Sequence, residues 1–295
     1  MSVLIAVVEA GSFSAAARRL DMPLPTVSRK VGELESLLQT RLLHRTTRQL
    51  VLTEAGQSYV AACRRILEEV GEAERAASGE YAAPRGDLVI AAPIVFGRLH
   101  VLPVLTDFLR AYPEINVRLV QSDRVAHLLD EHVDVAVRIG ELPDSSLIAV
   151  RLGTIRRVVC ASPAYFAEHG TPAEPRELTA HQCISFEGLV PERTWTFASG
   201  KDDVTVAVHS RLVVNTAEAA IDAALAGAGM TCVLSYQVAA AKRAGTLALA
   251  LESFEPPPRP VSLVRAGQGL IPLKLRAFLD FAGPRLRKRL LEEGE

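Results

Sequence analysis

The chain has 295 residues, 49% of them hydrophobic and 23% charged, with a formal net charge of −1. That length suits about two domains, each able to bury its own core, and the composition excludes a disordered chain. No run of about 18 apolar residues is free of charge or proline, so no membrane span is expected.

Met1 to Ala10 is apolar but lacks a basic start, and Glu9 falls within it, so a signal peptide is not expected. The cysteines Cys63, Cys160, Cys183 and Cys232 are far apart and form no Cys-x-x-Cys pair. That spacing argues against a metal site or redox motif and for a reduced, cytoplasmic protein.

The net charge conceals an asymmetry. Residues 1–52 hold seven Arg or Lys against four Asp or Glu, a net of +3, while residues 53–86 and the remainder are each at −2. A small basic module on a mildly acidic body points to a polyanion partner for the first part alone.

Ser12 to Leu20 is alanine-rich and opens on a good N-cap, which predicts a short helix. Asp21-Met22-Pro23-Leu24 breaks it, and Pro25 suits the first turn of a second helix running to about Leu38. Leu24 is a poor cap for that helix. Val27, Val31, Leu34 and Leu38 fall at i, i+4, i+7 and i+11, one buried stripe, so Thr26, Arg29, Lys30 and Glu33 point elsewhere, and Thr26, Ser28, Arg29 and Lys30 are the candidates for contact with a partner. Helix, short turn and helix with a polar, basic start is the helix-turn-helix pattern, whose second helix reaches base edges in the major groove. Two short strands around Thr46-Thr47-Arg48 then predict a wing, with Arg45, Thr47 and Arg48 near phosphates. A solvated surface hairpin is the alternative for any one of these residues.

The segment from Ala6 to Leu52, followed by Thr-Glu-Ala-Gly, resembles the winged helix-turn-helix of the LysR-type transcriptional regulators. The resemblance is carried by Val8-Glu9-Ala10-Gly11-Ser12-Phe13, Ala16–Leu20, Val27-Ser28-Arg29, Leu34-Glu35, Leu42-Leu43-His44-Arg45 and Leu52–Gly56, in order. Family members usually have several more residues ahead of the first helix, which here starts almost at Met1. A small-molecule-binding protein whose first module does not engage DNA is therefore the second reading, and the reading frame upstream of Met1 discriminates the two.

Thr53 is a natural N-cap, and no proline intervenes before about Ala77. Tyr59, Cys63, Ile66, Val70, Ala73 and Ala77 recur at coiled-coil spacing. This linker helix is read as a dimer seam, against packing on its own chain's core. Residues 78–86 read as a hinge.

From Asp87 onward, strand-like and helix-like runs alternate in the rhythm of a doubly wound α/β sheet. The expected strands are Leu88–Ala92, Ile115–Gln121, Val133–Ile139, Arg156–Ala161, stretches near Ile184 and Trp195, Val204–Val208, Leu212–Val214, Thr231–Leu234, Leu247–Leu251 and Val261–Val264. The expected helices are Phe96–Tyr112, Val125–Glu131, Pro163–His169, Thr216–Ala226 capped by Asn215, and Leu273–Leu291. Asp134–Gly140, Leu142–Leu147 and Cys160–Tyr165 look like the effector domain of the same regulators. The resemblance implies two α/β lobes like a periplasmic binding protein, joined by two crossovers, with a small effector between them.

The organisation expected is thus a winged helix-turn-helix (1–52), a linker helix and hinge (53–86), and an effector domain (87–295). Its first lobe takes about 87–157 and 263–295, and its second about 158–262. Strand ends place Pro93, Ile94, Ser122, Asp123, Gly140, Phe186, Asn215 and Thr216 near the cleft. The helix at Thr216 offers N–H groups to a carboxylate, so an anionic effector suits it. Expected partners are double-stranded DNA, a small effector and a second copy of the chain, as homodimer or homotetramer, with no membrane. No cofactor, metal or catalysis is expected, since no GxSxG, GxGxxG, Walker or zinc-ligand spacing occurs.

Overall fold

The computed structural model describes residues 1–45, 50–77, 83–123, 133–142, 147–186, 194–199, 202–267 and 271–294. The chain divides into two units, Met1–Ala83 and Pro84–Glu295.

In the first unit, α1 (Ser2–Glu9) buries Leu4 and Val7. Next, α2 (Phe13–Arg19) starts where expected, with the Ser12 hydroxyl accepting the Ala15 N–H at 3.2 Å. The second long helix, α3 (Leu24–Leu37), begins one residue before the expected start. Its cap position is Pro23, whose carbonyl accepts the N–H groups of Thr26 (2.9 Å) and Val27 (3.2 Å). Leu24 is therefore not a cap at all, and Pro25 sits where a missing N–H costs nothing.

Val27 and Val31 are fully buried, and Leu34 and Leu38 pack on the same cluster with Leu4, Ala16, Leu42 and Val60. Strands β1 (Leu43–Arg45) and β2 (Leu50–Leu52) pair antiparallel, Leu43 opposite Leu52. Then α4 (Glu54–Ala77) opens on Thr53, whose hydroxyl accepts the Gly56 N–H at 2.9 Å and donates to the Arg41 carbonyl at 2.7 Å. Gly56 is required here: a Cβ would run into the Leu42 carbonyl.

The apolar stripe of α4 splits in two. Cys63 is buried with Val60, and Tyr59 packs on the unit's own core, as the alternative reading had it. Ile66 and Val70 remain 44% and 47% exposed. The side chains of Ala73 and Ala77 lie outside the described set.

In the second unit, β3 (Gly86–Ala92), β4 (Ile115–Gln121), β5 (Val135–Ile139) and β6 (Leu147–Ile155) come first. They are followed by β7 (Arg157–Ala161), β8 (Cys183–Phe186), β9 (Thr194–Ser199), β10 (Asp202–Ala207), β11 (Ser210–Val214), β12 (Met230–Leu234) and β13 (Ala248–Ala250), and last by β14 (Arg259–Ala266). Two five-stranded sheets result, ordered β4-β3-β5-β14-β6 and β11-β8-β12-β7-β13, with β9 and β10 as a separate hairpin. In each sheet three strands run parallel, β3 with β4 and β5, and β8 with β11 and β12. The return to the first sheet begins at Arg259, which pairs with Ile155, rather than near residue 263.

The helices are α5 (Ile94–Phe96), α6 (Leu102–Ala111), α7 (Pro163–His169), α8 (Ala217–Leu225), α9 (Ser235–Arg243) and α10 (Leu273–Gly294). A π turn, Gly97–Val101, joins α5 to α6 as one run. Pro103 accounts for it, because it has no N–H to give the Leu99 carbonyl and its ring crowds that oxygen. Arg289 of α10 donates to the same carbonyl at 3.2 Å.

The first lobe's core joins Leu88, Ile90, Phe108 and Val135 to Phe278, Ala282, Leu286 and Leu290 of α10. The edge strand β6, the helix α9 and the short 3-10 helices Pro175–Ala180 and Glu252–Phe254 were not foreseen from sequence. The helix expected at Val125–Glu131 lies outside the described residues.

Candidate nucleic-acid interface and inter-lobe cleft

Burial of one face of α3 fixes what its other face presents. With Val27 and Val31 inside, Arg29 and Lys30 are exposed, and Thr26 and Ser28 are half-buried beside them. Arg29 is 3.7 Å from Glu33 one turn on, an exposed i, i+4 pair of little energetic weight. The guanidinium therefore stays available to an outside acceptor.

Two other basic side chains near the first helix are engaged within the unit. Glu9 lies 2.9 Å from Arg19 and 3.9 Å from Arg64, tying α1 to α2 and α4. Glu35 closes the far end of α3, accepting the N–H groups of Leu42 (2.8 Å) and Leu43 (3.1 Å) on one carboxylate oxygen. Glu35, which spacing alone did not single out, thus adds a polar tie between α3 and the start of β1 to their shared apolar core. Arg45 ends β1 opposite Leu50, with its side chain outside the described set; Thr47 and Arg48 also lie outside the described residues.

In the second unit, the parallel strands of the two sheets send their carboxyl ends toward one junction. Pro93 and Ile94 follow β3, and the Ile94 N–H donates to the Asp123 carboxylate at 3.0 Å. Ser122 follows β4 and donates its N–H to the Ala92 carbonyl at 3.0 Å. Gly140 follows β5 at φ 110°, a region favouring glycine, with its N–H on the Pro260 carbonyl at 2.8 Å.

From the other sheet, Phe186 at the end of β8 packs on the cores of both lobes. Ala217, Leu234 and Tyr236 also join the first lobe's core. Arg98 meets Glu218 at 3.2 Å, so the helix starts after β3 and β11 lie close together. Of the eight residues read from strand ends, Ile94 and Asp123 are joined by a hydrogen bond and Phe186 packs on both lobes; Gly140 is held on Pro260, and Asn215 is exposed.

One cap differs from expectation. The N-cap of α8 is Thr216, whose hydroxyl accepts the Ala219 N–H at 3.2 Å, while Asn215 is exposed before it. Thr216 adopts the extended cap conformation that its β-branched side chain favours. Glu218 adds a carboxylate to the first turn of α8, as Asp123 does at Ile94. Both helix starts are already served by the chain's own oxygens.

The two crossovers between the sheets are tied to each other by one arginine. Arg156 stands between β6 and β7; its N–H donates to Ser235 Oγ at 3.2 Å, and its carbonyl accepts the Ser235 N–H at 2.9 Å. Its guanidinium Nη1 lies 3.0 and 2.9 Å from the two carboxylate oxygens of Glu255, just ahead of β14. Sequence spacing carries no sign of such a pair. Among the described residues no group of His, Cys, Asp and Glu side chains could hold a metal ion, and no helix is long and apolar enough to cross a membrane.

Comparison with known proteins agrees with this anatomy. A family described as a bacterial regulatory helix-turn-helix protein of the lysR family matches residues 1–57, and the LysR substrate binding domain matches residues 82–287. An HTH-type transcriptional regulator of Xanthomonas campestris pv. campestris is 38% identical over 288 residues, covering 96% of this chain and 84% of that protein. The structure of CrgA, a LysR-type transcriptional regulator from Neisseria meningitidis, superposes with a TM-score of 0.63 at 35% identity, covering 97% of each chain. The full-length Vibrio cholerae virulence activator AphB gives a TM-score of 0.62 at 28% identity over 95% of this chain and 96% of that one. With a lysR-type helix-turn-helix in one unit and a LysR substrate-binding domain in the other, the chain belongs to the LysR family of DNA-binding transcription regulators.

Proposed function

We propose that α3 enters the major groove of operator DNA, with Thr26, Ser28, Arg29 and Lys30 meeting base edges and adjacent phosphates. Arg45, Thr47 and Arg48 of the wing grip flanking phosphates. The observation that carries this reading is the division of α3 into a fully buried valine face and an exposed, basic opposite face. Domain roles follow: DNA binding in 1–52, a linker and hinge in 53–86, and an effector domain in 87–295.

A small effector occupies the junction formed by Pro93, Ile94, Ser122, Asp123, Gly140, Phe186, Asn215 and Thr216. It acts by binding one arrangement of lobes or subunits more tightly than another. With Asp123 and Glu218 at the two helix starts, hydrogen-bond donors on the effector suit the junction better than a second carboxylate. The exposed Ile66 and Val70 of α4 support a homodimer seam, which sets two recognition helices on successive half-sites. Action on DNA supports a cytoplasmic location.

Binding of the full chain to its own upstream DNA and to random DNA, across a salt series, tests this. Preference for the former with a steep negative salt slope is expected. Equal, weak binding to both leaves the small-molecule-binding alternative standing.

A further inference from the structure

The first turn of α3 has an unusual surface. It reads Pro23-Leu24-Pro25-Thr26, and neither proline has an N–H. The Thr26 N–H is used on the Pro23 carbonyl at 2.9 Å. A helix start so short of donors is a poor seat for a phosphate. Yet Leu24 is 44% exposed and takes no part in the unit's core. It borders an open groove of about 690 Å³ between α2 and α3, lined by Ser14, Ala17, Arg18 and Met22 among others, so its own unit leaves it uncovered.

Ser28 lies one turn further along the same ridge, with exposed Arg29 next to it and exposed Arg18 across the groove. An apolar tip set among basic side chains fits a surface that is anionic overall and apolar at one spot. In the major groove, thymine alone among the four bases presents a methyl group; the others present only donors and acceptors. Leucine against those polar edges would strip water from them and return no hydrogen bond.

We propose that Leu24 is a specificity residue that packs on the 5-methyl group of one thymine in each operator half-site. This rests on α3 being the helix that enters the groove. Leu24 excludes the donor-rich edge of cytosine at that step, and Ser28 and Arg29 read the neighbouring steps.

The test uses the full chain on its footprinted upstream site, with thymines replaced one at a time by deoxyuridine, which removes only the methyl. Wild type is expected to lose about threefold to fivefold in affinity at one thymine for each half-site substituted. Leu24→Ala should lose a similar factor on unmodified DNA and nothing further on the deoxyuridine site. Leu24→Gln should favour adenine over thymine there, since an amide can pair with adenine N6 and N7. Far-UV circular dichroism verifies that both variants keep the fold.

Wild type indifferent to deoxyuridine at every thymine, or Leu24→Ala fully sensitive at the same thymine, would overturn the assignment while leaving site-specific binding intact. Absence of any preference for the upstream site over random DNA would overturn the groove reading itself, and the role of Leu24 with it.

Discussion

Arg156 and Glu255 tie together the two chain crossings of the second unit, with Nη1 of the arginine within 3.0 Å of both carboxylate oxygens. Burial pushes the Glu255 carboxyl above its usual range, and the guanidinium pulls it part of the way back. The arginine side chain is 38% exposed and the glutamate 12%, so the carboxylate is the group that suffers when the pair is broken. Arg156→Ala should cost about 1–2 kcal/mol after allowance for solvent screening of the arginine. Glu255→Gln should cost less, because the arginine it leaves behind is 38% exposed to water and keeps Glu252 at 3.9 Å. Trp195, the single tryptophan, is buried in the second lobe and reports urea unfolding of that unit alone.

Glu35 offers a second measurable tie. The N–H groups of Leu42 and Leu43, at the entry to β1, both fall on the same oxygen, Oε1. Glu35→Gln keeps a carbonyl oxygen in that place and should be nearly silent. Glu35→Ala leaves two partly buried donors unpaired and should destabilise the first unit by about 1–3 kcal/mol. Affinity for specific and random DNA should fall together, read by titration of both against thermal melting.

At Gly56 the backbone of α4 passes so close to the Leu42 carbonyl that no side chain fits. Gly56→Ala should destabilise the first unit by about 1–3 kcal/mol through forced displacement of α4, despite the better helix propensity of alanine. A variant as stable as wild type in a circular dichroism melt would contradict this account of the Leu-Thr-x-x-Gly stretch.

Arg29 and Arg48 should separate base reading from phosphate grip. Arg29→Ala should relax preference at one base pair at a cost of about 1–3 kcal/mol on the specific site. Arg48→Ala should weaken all sequences alike and flatten the salt slope by about one unit. Equal losses on specific and random DNA for Arg29→Ala would remove it from the base-reading set.

In the second lobe, His181 is buried, with Nδ1 3.3 Å from the Tyr165 hydroxyl. Burial lowers its pKa from 6.5, His169 lowers it further, and Glu177 opposes the shift. The neutral form is therefore favoured in the folded state. Above 6.5 His181 exacts no penalty; as pH falls below 6.5 the unfolded chain gains the proton first and stability declines until the folded pKa is reached. Urea midpoints followed by Trp195 should fall between pH 7.5 and 5.5, and His181→Gln should reduce that fall.

Local signals in the sequence were the legible ones. The spacing of Val27, Val31, Leu34 and Leu38 gave the inner face of α3, and Ser12 and Thr53 announced their helices through side-chain caps. Where a cap was misplaced, a rival acceptor stood next door: the Pro23 carbonyl took the role sought at Leu24, and Thr216 that given to Asn215. The edge strand β6 was missed because Ile148 and Val150 face solvent and only Leu152 and Ile155 are buried, so period-two burial fails. Long-range ties such as Glu35 to Leu42, Arg98 to Glu218 and Arg156 to Glu255 have no periodicity to read, since they exist only once the chain has folded back.

The position of β14 has a consequence for how the protein is made. It lies between β5 and β6, and nearly the whole second lobe is encoded before it. On the ribosome, the lobe whose first strands emerge earliest must wait for Arg259 to Ala266 before its sheet can close. The later-encoded lobe has all five strands available sooner. A premature stop just ahead of Arg259 would spare that lobe and leave two open strand edges in the other, a surface on which nascent chains aggregate.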